Sequence, residues 1–354
     1  MAYTTIDKPS DYFVSNLHTG NGGTLNITSL DFQPDWVWVK ERNNAKDHAL
    51  YDSVRGANKL LESNKTGLEA TTSAGISSFN SDGWTTGDFF QTNDNGDSYV
   101  SWNWKAGTSF TNDASATGIG SIDSAGSFNN DSGFSIVSYT GTGSSGTIKH
   151  GLNSVPSVII IKVLTNTAND WCVYHQATGN NQSTFLNESN AVSSNAFMNN
   201  TTPTSSVFSV DGSNYSSGSS RNYIAYCFAE KQGYSKFGSY TGNGSSSGTF
   251  CWTGMKPAMV IYKKSSGTEN WFIHDNKRQG FNPENELLFP DLSNAEGTVN
   301  RIDLLSNGFK ATTSDGGINA SGATYIYMAF AENPFVTSTG VPATARWLCS
   351  YLLT

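Results

Sequence analysis

The feature that most constrains this chain is a run that occurs three times at one internal spacing: Pro34-Asp-Trp-Val-Trp-Val-Lys40, Pro156-Ser-Val-Ile-Ile-Ile-Lys162 and Pro257-Ala-Met-Val-Ile-Tyr-Lys263. Apolar residues fill both parities of each run, which marks a strand covered on both faces. About a dozen residues upstream of each lies a glycine turn, at Gly20–22, Gly141–143 and Gly242–244. Downstream comes a second short strand: His48-Ala-Leu-Tyr-Asp52, Trp171-Cys-Val-Tyr-His175 and Trp271-Phe-Ile-His-Asp275. Then follow a turn (Asp82-Gly83, Asp211-Gly212 or Asn307-Gly308) and a closing strand at 99–105, 223–229 and 325–331. In the closing strands every second residue is large and apolar: Val100/Trp102/Trp104, Ile224/Tyr226/Phe228 and Ile326/Met328/Phe330. The other parity is smaller or polar, as in a strand with one face on a core. An ordered set of landmarks occurring three times defines a tandem repeat.

The repeats divide the chain into 1–108, 109–233 and 234–340, with a Ser/Gly/Asn/Asp-rich connection or hairpin at 107–131 and an apolar tail at 341–354. Charged residues make up 14% of the chain, while Gly is frequent (35) and aromatics reach 12%. That balance describes many short strands with polar turns. A module of ~100 residues with turn signals every ~10 residues indicates a two-layer arrangement. The expected fold is therefore all-β: three tandem antiparallel β-sandwich or jelly-roll modules. Val37, Ile159 and Val260 should hold equivalent core positions, and Trp102 should be buried. The segment 52–61 carries a helical turn at most.

Net charge is −8, without a Lys/Arg cluster, which argues against a nucleic-acid partner. The most apolar stretch, 158–164, is broken by Lys162 and is far shorter than the ~20 residues of a membrane span. The first residues show neither a basic nor an apolar leader pattern, so synthesis in a cytoplasm without export is expected. Cys172, Cys227, Cys251 and Cys349 have no metal spacing, and three lie in apolar strand patterns, which suits buried free thiols.

No catalytic set stands out. The histidines are scattered, no nucleophile elbow occurs, and the close carboxylates Glu284 and Glu286 fall in a loop-like stretch of one repeat, as solvated charges. Asp94 and Asp97, in Asn93-Asp-Asn-Gly-Asp97, offer the oxygen density of a Ca²⁺ loop, in a place where a turn is also expected; no other cofactor is indicated. Carbohydrate binding is the functional idea that survives. Its candidates are the aromatic platforms Trp84, Trp171 and Trp271 with the loop amides Asn180, Asn181 and Asn276.

The runs Pro34-Asp-Trp-Val-Trp-Val-Lys40, Leu50-Tyr-Asp-Ser-Val-Arg-Gly-Ala57, Trp102-Asn-Trp-Lys-Ala-Gly107, Gly133-Phe-Ser-Ile-Val-Ser-Tyr-Thr-Gly141 and Ala329-Phe-Ala-Glu-Asn-Pro-Phe335 resemble a repeat family in structural proteins of marine tailed phages. That family is treated as concanavalin A-like, laminin-G-like jelly rolls. The second repeat departs from it, with Tyr174-His-Gln-Ala177 in place of the Tyr-Asp-Ser-Val-Arg-Gly run, and so does the tail beyond Arg346. The resemblance implies a virion setting and no catalytic residues. The expected function is a non-enzymatic fibre or adhesin that contacts other virion proteins and host-surface glycan. A purely architectural capsid or collar role and a polysaccharide depolymerase are the alternatives. The apolar residues 347–353 point to a homo-oligomer, with a trimer as the analogy with phage fibres suggests.

Overall fold

The computed structural model describes residues 2–343. Strands account for nearly all its regular structure, and the one α-helix among the described residues is the short Ala114–Thr117. None of these elements is a helix long and apolar enough to cross a membrane.

Three large antiparallel sheets share one lateral order, in which the repeat's first strand lies beside its last, then the Pro-to-Lys strand, then the short strand that follows. In the first sheet these are Phe13–Thr19, Ser98–Trp104, Trp36–Glu41 and Ala49–Asp52. The second has Phe134–Thr140, Asn222–Phe228, Val158–Val163 and Cys172–His175. The third has Ser235–Thr241, Thr324–Pro334, Met255–Lys264 and Trp271–Asp275. Register agrees as well as order. Val37 lies between Tyr51 and Asn103, Ile159 between Tyr174 and Cys227, and Val260 between His274 and Ala329.

Smaller sheets back the large ones. Leu25–Ile27, Gly83–Thr86 and Ile76–Asn80 form one, Gly146–Lys149 and Val207–Val210 another, and Phe250–Trp252, Gly308–Ala311, Gly297–Leu305 and Glu284–Leu287 the third. The connection at 107–131 is ordered: Thr108–Asn112 and Ser124–Asn129 pair and extend the second large sheet. Segment 52–61 begins with a turn closed by the Gly56 N–H on the Asp52 carbonyl and ends in the short strand Lys59–Leu60, which pairs with Ala70–Thr71.

The closing strands depart from expectation, because both their faces are covered. One face, with Tyr99, Tyr223 and Tyr327, packs on its own small sheet. The other face enters a core common to all three repeats, which contains Val100, Trp102, Trp104, Ile224, Tyr226, Phe228, Ile326, Met328 and Phe330. At equivalent register positions Trp104, Phe228 and Phe330 form an aromatic triangle, with ring centroids 5.5, 5.6 and 6.4 Å apart. Such spacings are those of favourable edge-to-face pairs. Ser101 and Asn103, polar residues expected on an exposed face, are both fully buried, and Asn103 accepts from the Trp84 indole at 3.0 Å.

Polar contacts link the repeats in a ring. The positions of Trp102, Tyr226 and Met328 each face the short strand of another repeat. Tyr226 Oη donates to Asp52 at 2.7 Å and Trp102 Nε1 to Asp275 at 3.1 Å, and each aspartate also pairs with the arginine three residues on, Arg55 or Arg278. Met328 has no such donor to offer. The residue at the aspartate position is then His175, which donates to the Tyr327 carbonyl at 3.2 Å, and Thr178 stands where an arginine would. The ring N–H groups of Trp171, Trp271 and His48, equivalent to one another, donate to the carbonyls of Glu62, Phe185 and Phe289, each in another repeat.

Candidate functional site

The Trp271–Asp275 strand ends in a turn stapled by its last residue. Asp275 Oδ1 accepts the backbone N–H groups of Lys277 and Arg278 at 3.0 and 3.1 Å, and Oδ2 accepts Arg278 Nε at 2.7 Å. Arg278 also donates to the Ile273 carbonyl and to Glu296. An aspartate that caps its own turn and carries a buried guanidinium gives a rigid base. Asn282 is then clamped to Leu304 by two bonds, of 2.8 and 2.9 Å.

Between this turn and the ends of strands Met255–Lys264 and Thr324–Pro334 lies a cleft of about 280 Å³, lined by Lys256, Asn276, Lys277, Phe281, Glu284 and Glu332 among others. That is near the ~300 Å³ at which small-ligand pockets begin. Three of its features bear on what it could hold. Asn276 Oδ1 is buried with no partner among the described residues. Glu284 is 3% exposed, and its carboxyl makes no hydrogen bond among the described residues. Phe281 is 67% exposed at the lip. A buried acceptor left unsatisfied is costly unless a ligand or water completes it. Among its lining residues Lys256 Nζ pairs with Glu332 at 2.9 Å. Burial, with the Asp275 carboxylate next in size, pushes the Glu284 carboxyl up to about 7, while Arg278 pulls against it.

Glu284 and Glu286 therefore differ from expectation. They lie on a strand, and neither is a solvated charge: Glu286 accepts Arg42 Nη2 of the first repeat at 3.0 Å. Of the residues singled out in sequence, Asn276 lines the cleft. Trp84, Trp171 and Trp271 are at most 2% exposed, with their indole N–H groups taken by Asn103, Glu62 and Lys65, and Phe185. Rings so enclosed have no face to give a soluble ligand. Asn180 donates to Thr202, the Asn181 carbonyl accepts from Asn195, and neither lines the cleft. Asp94 accepts from the Asn95 N–H and Asp97 from Asn44. Among the described residues no group of three or more His, Cys, Asp or Glu is placed to hold a metal ion. Cys172, Cys227 and Cys251 are buried free thiols, and Cys349 lies outside the described residues.

Phe281, Lys256 and Glu332 escaped the sequence reading. The signal for Phe281 is a lone aromatic in Arg-Gln-Gly-Phe-Asn-Pro, outside any alternating pattern. A wider groove of about 970 Å³ separates the first repeat from the hairpin at 107–131. Its polar groups are turned on one another: Arg55 on Glu69, Asp113 on the helix Ala114–Thr117, Thr140 on Asn222.

Fold and cleft together define an all-β protein of three like sheets on one core, with a polar cleft at the open end of the third. The chain belongs to the DUF7483 family, described as a domain of unknown function, whose model matches residues 8–334. That match spans residues of all three repeats. Comparisons with curated proteins and with solved structures matched nothing.

Proposed function

We propose that this chain is a phage virion protein of the fibre or adhesin type, built from three jelly-roll modules at 1–108, 109–233 and 234–340, which binds host-surface glycan at the cleft of the third. The single observation that carries the glycan reading is the pairing of unsatisfied groups with an exposed ring. Asn276 Oδ1 asks for a hydroxyl or N–H donor, Glu284 beside it can donate or accept, and Phe281 offers a face for the C–H side of a pyranose. Repeated lateral order supports the three-module division, and the resemblance to phage structural repeats supports the setting.

The test is binding of the whole chain to an immobilised panel of bacterial surface polysaccharides, beside Asn276→Ala and Phe281→Ala. Binding by the parent that falls about tenfold in each variant is expected. Failure of the parent to bind any of them, with the protein present in purified particles by mass spectrometry, would leave the architectural role.

One observation favours a second reading, depolymerisation. Glu284, held up to about 7, shares its cleft with Glu332, and two carboxyls in unlike surroundings are what acid-assisted glycoside cleavage uses. Release of reducing ends, abolished in Glu284→Gln, would establish that reading over simple binding.

A further inference from the structure

The small sheet of the third repeat has an open edge unlike those of the other two. Phe250–Trp252 is its edge strand, paired among the described residues on one side alone, with Gly308–Ala311. The Thr253 N–H donates to the Asn307 carbonyl and the Ala311 N–H to the Thr249 carbonyl, on either side of the opposed pair Cys251 and Phe309. In an antiparallel ladder alternate residues turn their backbone groups to the partner, so the N–H and C=O of Phe250 and Trp252 face the open side. Their side chains stand away from the core, exposed by 44% and 52%. By register the same positions hold Asn26 and Thr28 in the first repeat, and Thr147 and Lys149 in the second. The fold therefore does not require aromatics there, and an exposed aromatic edge invites pairing.

The second repeat shows what such an edge accepts. Its strand Gly146–Lys149 is covered on the outer side by Ser121 and Ile122. The Thr147 carbonyl accepts their N–H groups at 2.8 and 3.1 Å, and the Thr147 N–H donates to Ser121 Oγ at 2.9 Å. Thr147 is the counterpart of Phe250, so in one repeat a segment of this chain already fills the place that the third leaves open. On the third repeat a further segment lies within reach. The described residues end at Ala343, whose N–H donates to the Phe335 carbonyl at 3.3 Å, and the Phe335 N–H donates in turn to the Gly254 carbonyl at 3.2 Å. The Trp252 indole lies against Gly254, where an added Cβ would stand 3.0 Å from the ring. From Gly254 back to Phe250 is about 13 Å of strand. Residues 344–354, fully extended, reach up to about 40 Å. Among them Trp347, Cys349, Tyr351 and Leu353 share one parity, the alternation and aromatic content of a strand.

We infer that residues 347–353 of this same chain add to the edge Phe250–Trp252 as an antiparallel fifth strand of the small sheet, running from Gly254 towards Phe250. This stands apart from the glycan reading. Pairing satisfies the backbone groups that Phe250 and Trp252 turn to the open side, and same-face neighbours on the added strand pack against their rings. Leu348 and Leu352 lie on the other parity from Trp347, so the added strand is apolar on both faces. Its outer groups, beside Phe250 and Trp252, are left for the contact between copies expected from the sequence.

The experiment is hydrogen exchange of the whole chain, read by mass spectrometry on the peptide that contains residues 249–253. Exchange there should be about tenfold slower in the parent than in the chain lacking 347–354, while exchange at Gly146–Lys149 is the same in both. The double variant Cys349→Pro and Ser350→Pro keeps the length of the segment and removes one donor of each parity, so it should speed exchange as the deletion does. A thermal melt confirms that the proteins compared are folded. Equal exchange at 249–253 in the parent and the shortened chain overturns the inference, and so does protection that survives the two prolines. If protection is lost on dilution to a concentration at which light scattering reads a monomer, the added strand comes from a second copy and the inference fails.

Discussion

Replacing Trp102 by alanine should destabilise the whole molecule and not one repeat. Trp102 is fully buried in the core that all three repeats share, and its indole donates to Asp275 of the third repeat at 3.1 Å. Removal of a buried tryptophan costs ~3–5 kcal/mol through lost transfer energy and the cavity left behind. The lost bond to a carboxylate adds ~1.5–3 kcal/mol, reduced here because Arg278 still pairs with Asp275. A total of about 5 kcal/mol follows. For a body of ~340 residues the unfolding entropy is ~0.7 kcal/mol per degree, so the midpoint should fall by roughly 7 °C. Differential scanning calorimetry is the assay, and it should show one transition in parent and variant alike. Trp102→Phe, which keeps most of the ring and loses the bond, should cost about 2 kcal/mol. A shift of less than ~2 °C would refute the burial argument. A variant in which the first repeat melts alone while the others hold would refute the shared core.

The ring of contacts predicts that His175→Asp alone destabilises by about 3 kcal/mol or more, since the site lacks the arginine that accompanies Asp52 and Asp275, and that adding Thr178→Arg recovers part of the loss in urea unfolding. For Glu284 the folded pKa of about 7 lies above the unfolded value near 4.5, so the folded state holds the extra proton between them and stability falls as pH rises through that window. Glu284→Gln should therefore match the parent at pH 4.5 and exceed it above pH 7; equal midpoints at both would contradict the burial of that carboxyl. The proposed homo-oligomer rests on residues 347–353, which lie outside the described residues, and deleting 347–354 should lower the mass by light scattering, whereas a parent already monomeric would refute it.

Much of the strand plan was legible because backbone pairing repeats with sequence. Pro34 and Pro156 lie two residues before their strands and Pro257 at a register shift near the start of its own, all three strands keeping like register beyond, and the alternation of Trp102/Trp104, Tyr226/Phe228 and Met328/Phe330 marked one face correctly. What covers that face was not legible, since burial by a neighbouring repeat and burial by the same repeat leave the same apolar pattern. Trp171 and Trp271 were misleading for a related reason. An indole has an apolar body and one donor, and only three-dimensional structure shows whether a sugar or a backbone carbonyl of the next repeat takes them. Asn276 was legible as a loop amide directly after the strand Trp271–Asp275, but the cleft around it is completed by Lys256 and Glu332, whose strands meet only in the folded sheet.

The shared core also leaves the ends of the repeats free to differ from one another. Each large sheet must keep its inner face to complete the ring, so Trp104, Phe228 and Phe330 are fixed by two neighbours at once. The ends of the small sheets carry no such obligation. Asn26, Thr147 and Phe250 share a register position with three different chemistries, and none of them touches the common core. Contacts inside one chain hold the three sheets at fixed relative positions, so a ligand at the third sheet meets a platform whose turn is anchored through Asp275 to Trp102 of the first. Less ordering is then left to be done at the moment of binding, which lowers its entropic cost. Loss of Trp102 should accordingly loosen the cleft as well as the core. In Trp102→Phe, which keeps the fold at modest cost, glycan affinity should fall although residue 102 does not line the cleft. Unchanged affinity in a folded Trp102→Phe protein would show that Arg278 alone suffices to hold the turn.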